Sequence, residues 1–290
     1  MKPTSLSLGL IGFPLDHSLS PRLHAAALKA LDLPGEYRLF PALPAPHGDG
    51  AIRDLLEKMR RGEMHGLNVT IPHKQTVIPF LDELTPTALA VGAVNTIVYK
   101  TGKLIGENTD CPGFLADLAA QLESAGLREL RDRTGNSALV LGAGGSARAV
   151  VFGLLQNGWQ VSIAARRPEQ AQELMRSVSS RPMLVGEMNM LRSEAAQNIQ
   201  LIVNTTPLGM HPNVDDSPWP ANLPFPKKVF IYDLVYNPPE TALLRSARNS
   251  GLPAANGIGM LVRQAVLAFR AWTGLEPPWE VMYQAVAAQA

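Results

Sequence analysis

A glycine-rich turn near the middle of this chain constrains its fold more than any other feature. Ser137–Leu141 is an apolar run typical of a buried strand, the sequence Gly-Ala-Gly-Gly-Ser-Ala follows at 142–147, and residues 148–155 have helical character. Strand, glycine turn and helix in this order are the context in which G-x-G-x-x-A indicates dinucleotide binding. The simpler alternative is an ordinary tight turn between a strand and a helix.

The small residues of this turn each have a steric reason in a dinucleotide site. Gly142 permits the tight turn, Gly144 lets the backbone approach a pyrophosphate, and Ala147 lets the helix pack close to the strand. The first N–H groups of the helix have no partner within it and can bind phosphates. We therefore predict that the cofactor is held by Gly142, Ala143, Gly144, Gly145, Ser146 and Ala147.

The position of the turn predicts two domains. The residues that precede Ser137 are numerous enough to form a domain of their own. After it, predicted strands and helices alternate, which favours a parallel sheet with helices on both faces. We predict an α/β chain in which residues 1–112, completed by C-terminal helices within 258–290, bind the substrate, and residues 113–257 form a doubly wound, Rossmann-type cofactor domain.

Apolar periodicity and turn residues predict the individual elements. In the N-terminal part we predict strands at 6–12, 36–40 and 66–71, helices at 21–31, 52–60 and 114–124, and a hairpin formed by 95–99 and 103–106. In the remainder we predict strands at 138–141, 160–164, 201–204 and 229–233, and helices at 147–157, 169–178, 260–273 and 279–288.

Composition excludes several classes of protein. Hydrophobic residues make up 46% and charged residues 18%, and the net charge is +1, so we expect neither nucleic acid nor a membrane as partner. The single cysteine, Cys111, precludes an intrachain disulfide and suits a reducing compartment, so we expect a cytoplasmic protein. The six histidines show no metal-ligand spacing, and we predict no metal. The expected partner is a small-molecule substrate, and a homodimer is left open.

Two arginines indicate whether the cofactor is NAD or NADP. In NAD sites an acidic residue at the end of the second strand usually holds the ribose hydroxyls. Here that strand ends in Ala165-Arg166-Arg167, without a carboxylate. A guanidinium can pair with a 2′-phosphate, which an acidic residue would repel. We therefore predict NADP, held by Arg166 and Arg167; the alternative is that both belong to a solvated turn.

Two serines precede the first predicted helix. Ser18 and Ser20 lie two residues apart, and Pro21 suits the first helical position. Hydroxyls at a helix N-terminus can clamp a carboxylate. Simple capping is an equally good explanation for Ser20, but it does not account for Ser18.

Lysine and carboxylate side chains in the N-terminal part suggest acid/base chemistry. Alternation places Asn68 and Thr70 on one face of a strand, and Lys74 follows just past its end. Asp110 lies at a second junction between a strand and a loop. Burial lowers the pKa of a lysine and a carboxylate partner raises it again, so such a pair can be poised to pass a proton. Asn95 could add a hydrogen bond to a hydroxylated ligand, although an asparagine in a turn is usually structural.

Taken together, these segments resemble the shikimate dehydrogenase family, over nearly the whole chain. Several motifs in the order of the family are far more specific than any one of them. The segments concerned are GFPLDHSLSP (12–21), NVTIPHK (68–74), GAVNT (92–96), ENTDCPG (107–113), GAGGSARA (142–149), NTTPLGM (204–210), DLVYNPPET (233–241) and GIGMLVRQA (257–265).

The resemblance implies an activity and a set of roles. Family members reduce 3-dehydroshikimate to shikimate reversibly, usually with NADPH, in aromatic amino-acid biosynthesis, at a site in the cleft between a substrate domain and a Rossmann-type domain. It implies Lys74 as the acid/base, coupled to Asp110. It further implies substrate contacts from Ser18, Ser20, Thr70, Asn95, Asp110, Tyr236 and Gln264, and cofactor contacts from the 142–147 turn, Arg166, Arg167, Thr205, Leu234, Gly257 and Met260.

The chain departs from the family pattern in two places. His24 is followed by Ala25 where the family often has Asn, and the common Asn-Arg-Thr after the second cofactor strand is Ala165-Arg166-Arg167. The doubled arginine argues against NAD, and the two serines favour shikimate. The rival hypotheses are a quinate/shikimate dehydrogenase with broader substrate and cofactor use, and a non-catalytic NADP-binding regulator.

Overall fold

The structure, a computed structural model, describes residues 5–132, 134–178, 185–186 and 198–287. Contacts divide these residues into two compact units. The first contains the described residues up to Gly113 and those from Leu261 onward, and the second contains those from Phe114 to Met260. Both units combine helices with a sheet, which confirms the α/β fold class.

The first unit begins with alternating strands and helices and ends with two helices from the C-terminal part of the chain. Its strands are β1 (Leu6–Gly12), β2 (Gly35–Pro41), β3 (Gly66–Val69), β4 (Glu83–Leu84), β5 (Thr96–Lys100) and β6 (Lys103–Glu107). Its helices are α1 (Ser20–Ala30), α2 (Asp49–Arg60), α3 (His73–Thr76), α4 (Pro86–Val91), the start of α5 (Asp110–Ser124), most of α10 (Ile258–Thr273) and α11 (Trp279–Ala287).

The six strands form one mixed sheet in the order β2-β1-β3-β5-β6-β4. β1 pairs in parallel with β2 and β3, whereas β3–β5 and β5–β6 are antiparallel. The predicted β5–β6 hairpin is confirmed: Thr101 and Gly102 both have positive φ, at 52° and 80°, as its tight turn requires. α11 packs on α1, and Trp272 of α10 donates a hydrogen bond to the carbonyl of Ile97 in β5 at 3.0 Å.

The second unit is a doubly wound domain. Its strands are β7 (Ser137–Leu141), β8 (Gln160–Ala164), β9 (Val185–Gly186), β10 (Leu201–Asn204), β11 (Phe230–Asp233) and β12 (Ala254–Asn256), and its further helices are α6 (Arg128–Asp132), α7 (Gly145–Gln156), α8 (Pro168–Val178) and α9 (Ala242–Asn249). All its strand pairs are parallel, in the order β12-β11-β10-β7-β8-β9. Counted within this unit, that is the Rossmann order 3-2-1-4-5-6.

Two apolar clusters cover the two faces of this sheet. Ala138 and Val140 of β7 join one cluster, whereas Leu139 and Leu141 join the other. Since successive side chains of a strand point to opposite faces, both faces are buried, as a parallel sheet requires.

The observed ends of several elements differ from the predicted ones. The strand predicted to reach Ile71 ends at Val69. Thr70 still donates its backbone N–H to the carbonyl of Ile11, at 2.9 Å, but the chain then turns through Ile71-Pro72 into α3, a short helix that periodicity did not reveal. α5 begins at Asp110 instead of 114, and α2 at Asp49 instead of 52.

Candidate active site

A buried ion pair lies at the centre of the predicted acid/base site. Lys74 is 9% exposed and Asp110 is 5% exposed. The Nζ atom of Lys74 donates to Oδ2 of Asp110 at 2.7 Å. The structure thus brings together two residues that lie 36 positions apart in the sequence.

The fold fixes Lys74 through the short helix on which it lies. His73 begins α3, and its backbone N–H donates to the carbonyl of Thr70 at 2.8 Å, while its Nε2 bonds the carbonyl of Ala42 at 2.9 Å. The carbonyl of Lys74 accepts from the backbone N–H of Val94 at 2.7 Å. With the backbone held on both sides, the lysine side chain has a defined starting point toward Asp110.

Asn95 holds the second oxygen of the carboxylate. Its Nδ2 donates to Oδ1 of Asp110 at 2.9 Å, and its Oδ1 accepts from the backbone N–H of Thr109 at 2.7 Å. Because a backbone N–H can only donate, this second bond determines which way the amide points. Asp110 is also the first residue of α5, where the helix dipole favours a negative charge.

Asn68 extends this network away from the ion pair. Its Nδ2 donates to the carbonyl of Asn95 and to Oγ1 of Thr96, both at 3.1 Å, and its Oδ1 accepts from the hydroxyl of Tyr37 at 2.8 Å. The sequence indicated that Asn68 faces the site, but it gave no sign of the role of Tyr37, which lies outside every motif. For Thr96 and Thr109 the signal was their place in the motifs GAVNT (92–96) and ENTDCPG (107–113).

His24, at one of the departures from the family pattern, is an aromatic core residue. It is fully buried and stacks on Tyr37, with ring centroids 4.3 Å apart. Burial lowers the pKa of this imidazole to about 3, so it is neutral at physiological pH. Its role is packing behind Tyr37.

The prediction that Ser20 caps α1 is wrong. The cap position belongs to Leu19, whose side chain accepts no hydrogen bond, and Ser20 is the first helical residue. Oγ of Ser18 instead accepts from the backbone N–H of Ser20, at 3.3 Å. The helix therefore begins one residue earlier than predicted, with Pro21 at its second position, where a missing N–H is also tolerated. The Ser20 hydroxyl therefore needs another explanation than capping.

Three other predicted substrate contacts are placed as follows. Thr70 is half-buried beyond the end of β3. Gln264 of α10 donates through Nε2 to the carbonyl of Leu261 at 2.7 Å, and its Oε1 lies 3.4 Å from Nδ2 of Asn95, within the first unit. Tyr236 follows β11 in the second unit, where burial raises the pKa of its phenol to about 12.

The glycine turn has the geometry that a dinucleotide needs. Gly142 has φ +108°, and a Cβ there would come within 2.6 Å of Oγ1 of Thr205, so only glycine fits. Gly144 is the cap residue of α7, and a Cβ built there would meet no atom within 4 Å, which leaves open space beside the backbone. No side chain caps α7 and no acidic residue lies in its first turn, so its first N–H groups are available to an anion.

The turn also lies at the position where such sheets bind ligands. The strand order reverses between β7 and β10, and ligands of open α/β sheets bind at this switch point, beyond the carboxyl ends of the strands. Gly142 follows β7, and Thr205 follows β10. Arg166 and Arg167 follow β8 and are exposed. These residues fit an NADP molecule.

The last predicted cofactor contacts lie around β11 and β12. A Cβ at Gly257 would overlap the carbonyl of Leu234, so the two segments approach more closely than any other residue would allow. Gly257 donates its N–H to the carbonyl of Val235 at 3.2 Å. Met260 is 7% exposed and packs in one of the apolar clusters of this unit.

Within residues 5–132, 134–178, 185–186 and 198–287, no three His, Cys, Asp or Glu side chains are grouped so as to hold a metal ion. No helix in these ranges is long and apolar enough to cross a membrane.

Comparison with known proteins gives matches over nearly the whole length of the chain. Family models for the shikimate dehydrogenase substrate binding domain and the shikimate 5'-dehydrogenase C-terminal domain match residues 10–97 and 257–287. A shikimate dehydrogenase (NADP(+)) from Carboxydothermus hydrogenoformans is 40% identical, over 96% of this chain and 95% of the relative.

Solved structures give the same result. Shikimate 5-dehydrogenase from Thermus thermophilus, in complex with NADP(H) and shikimate, has a TM-score of 0.81 and 36% identity, over 98% of this chain and 100% of that one. Quinate dehydrogenase from Corynebacterium glutamicum, in complex with NAD, has a TM-score of 0.83 and 33% identity, over 98% and 99%. The resemblance seen in the motifs is thereby confirmed, and the chain belongs to the shikimate dehydrogenase family.

Proposed function

We propose that Lys74 and Asp110 perform the proton transfer of an NADP-dependent shikimate dehydrogenase. The reaction is the reversible reduction of 3-dehydroshikimate to shikimate, within aromatic amino-acid biosynthesis. The observation that carries the proposal is the buried contact of 2.7 Å between the Lys74 ammonium and the Asp110 carboxylate. A regulator that only bound NADP would have no use for such a pair.

When bound, NADP would accept the hydride in the direction of oxidation, and NADPH would donate it in the direction of reduction. The chain itself must manage the proton on the C3 oxygen of the substrate. In the direction of reduction, Lys74 donates a proton from Nζ to the developing alkoxide, and in oxidation it takes the proton of the C3 hydroxyl. Asp110 orients the ammonium through Oδ2, while Asn95 keeps the carboxylate in place through Oδ1.

Hydroxyl and amide groups would bind the rest of the substrate. Ser18 and Ser20 would hold its carboxylate at the start of α1, where the dipole of the helix adds a favourable field. We propose that Thr70, Asn95 and Gln264 form hydrogen bonds with the ring hydroxyls. Tyr236 would donate from a phenol that stays neutral at physiological pH.

The second unit would bind the cofactor. The 142–147 turn and the start of α7 would take the pyrophosphate. Arg166 and Arg167 would pair with the 2′-phosphate, which is absent from NAD. We assign contacts on the nicotinamide side to Leu234, Gly257 and Met260, and a neighbouring contact to Thr205. In this assignment the first unit is the substrate domain and the second is the cofactor domain.

The second candidate function is a quinate/shikimate dehydrogenase of broader use. It is favoured by the likeness to the Corynebacterium glutamicum quinate dehydrogenase, which was solved with NAD. Initial rates with shikimate and with quinate, each with NADP and with NAD, separate the two. The proposed function requires the shikimate and NADP combination to be by far the fastest, and comparable rates with quinate or NAD would contradict it. A cytoplasmic location is part of the proposal, because the single cysteine suits a reducing compartment.

A further inference from the structure

A second buried carboxylate, which the proposed mechanism does not use, lies at the end of β11. Asp233 is fully buried. Its Oδ1 accepts from Nδ2 of Asn204 at 2.8 Å and from the backbone N–H of Val235 at 3.0 Å, and its Oδ2 accepts from Oγ1 of Thr241 at 2.7 Å. All three donors are neutral, and they come from three different segments of the second unit.

Through Asn204 this carboxylate reaches the segment that follows β10. The Nδ2 group of Asn204 donates to Asp233, so its Oδ1 is left to accept from Thr206, from the backbone N–H at 2.9 Å and from Oγ1 at 2.7 Å. Thr205 lies between these two anchored residues, and its own Oγ1 donates to the carbonyl of Leu141 at 2.7 Å. The proposed cofactor contact is therefore fixed from both sides.

Through Thr241 the same carboxylate closes the loop that follows β11. Oγ1 of Thr241 donates to Asp233 and accepts from the backbone N–H of Leu244 at 3.2 Å, where α9 begins. Residues 234–240 are thus held at both ends by one side chain. This loop carries Leu234, whose N–H also donates to the carbonyl of Asn204 at 2.9 Å.

We propose that Asp233 is a positioning residue, which acts through Asn204 and Thr241 to hold Thr205 and Leu234 in the arrangement that binds NADP. The proposal rests on the proposed function of the second unit as the cofactor domain. It assigns no contact with the cofactor to Asp233 itself.

A stability argument supports this role. Burial raises the pKa of Asp233 to about 6, so the charged form is held in the folded protein at a cost to its stability. Among the residues that the structure describes, no charge offsets that cost; hydrogen bonds from neutral groups are what favour the carboxylate. A residue that lowers the stability of the fold and takes no part in proton transfer is expected to position the other residues of a site.

The test is the dissociation constant of NADP, measured by titration calorimetry without substrate, together with urea unfolding of each variant. We expect Asp233→Ala to raise this Kd about tenfold or more, because three donors lose their acceptor and the two segments are released. Asp233→Asn should bind NADP nearly as the wild type does. Its Oδ1 can accept from Asn204 and Val235, and its amide can donate to Thr241.

Thr241→Val and Thr85→Val form a matched pair. Thr241 caps α9 and Thr85 caps α4 in the first unit, each by accepting a backbone N–H. Both variants lose a cap, but only Thr241→Val also breaks a bond to Asp233. We expect a weaker affinity for NADP in Thr241→Val and an unchanged one in Thr85→Val.

The outcomes separate this inference from the proposed function. If the wild type does not bind NADP, the proposed function fails. If the wild type binds NADP and folded Asp233→Ala and Thr241→Val bind it equally well, the positioning role is overturned. Should Asp233→Ala not fold, Thr241→Val decides alone, since an unchanged Kd in that variant contradicts the proposal.

Discussion

The ion pair between Lys74 and Asp110 leads to a prediction about variants of these two residues. Their effects on catalytic activity and on folding stability should differ. The side chains of Lys74 and Asp110 are only 11% and 7% exposed, so Lys74→Ala leaves a buried carboxylate without its counter-charge. Removing one partner of a buried pair typically costs about 3–5 kcal/mol of stability. Asn95 still donates to Oδ1, so we expect the lower end of that range.

The same substitution removes the proposed proton donor. General acid/base catalysis contributes ~10²–10⁴ in rate, so we expect kcat to fall by about two to four orders of magnitude. The KM for shikimate should change much less, because Lys74 does not supply the carboxylate clamp.

The double variant Lys74→Ala/Asp110→Asn tests the reasoning most sharply. It removes both charges, so most of the lost unfolding free energy should return, whereas kcat should stay as low as in Lys74→Ala. Lys103→Ala is the control, because that lysine is 52% exposed in its ion pair with Glu83 and should matter for neither quantity.

The assays are urea unfolding and initial rates with shikimate and NADP. Near wild-type kcat in folded Lys74→Ala would refute the proposed role of Lys74. Failure of the double variant to regain stability would refute the account of the buried charge.

Three further expectations concern other parts of the chain. Arg166→Ala should raise the KM for NADP by roughly ten- to a hundredfold, the loss of one charge-assisted contact, and leave that for NAD nearly unchanged; an equal loss with both would contradict the 2′-phosphate assignment. Ser18→Ala should raise the KM for shikimate with little effect on NADP affinity, and an unchanged KM would move the carboxylate clamp elsewhere. The pKa of Asp233 rises from 3.8 to about 6 on folding, so the folded state binds the extra proton and stability falls as pH rises through this window. Relative to wild type, Asp233→Asn should therefore gain up to about 3 kcal/mol of unfolding free energy between pH 3 and pH 7, and parallel urea-unfolding curves across that range would contradict this.

Local signals in the sequence were enough for most of the fold. Gly102 marked the hairpin because glycine tolerates the positive φ of a tight turn, and the hairpin is observed. The apolar run at Ser137–Leu141 followed by glycines marked β7 and α7, because both faces of a parallel strand are buried. Such features depend on neighbours in sequence, so they can be read without the tertiary structure.

The arrangement of the site depends on contacts that no local pattern encodes. Lys74 and Asp110 were each recognisable as candidates, but their pairing joins α3 to the start of α5, and α3 itself was missed. The network from Asp233 to Asn204 and Thr241 likewise joins separate strand ends. Ser20 shows the same limit at short range, because α1 begins one residue earlier than predicted and the expected cap is its first helical residue.

The way in which the helices are capped at their N-termini has a consequence for the stability of the protein. α4 and α9 are capped by threonine side chains, and at α1 the Oγ of Ser18 accepts from the backbone N–H of Ser20, whereas Gly144 leaves α7 without a side-chain cap. A good cap stabilises a helix by about 1 kcal/mol, which the start of α7 forgoes. This is the end at which we propose that a cofactor phosphate binds. Because a ligand that binds only the folded state stabilises it by mass action, the bound cofactor itself would complete this helix, and the resistance of the protein to unfolding would follow the supply of NADP in the cell.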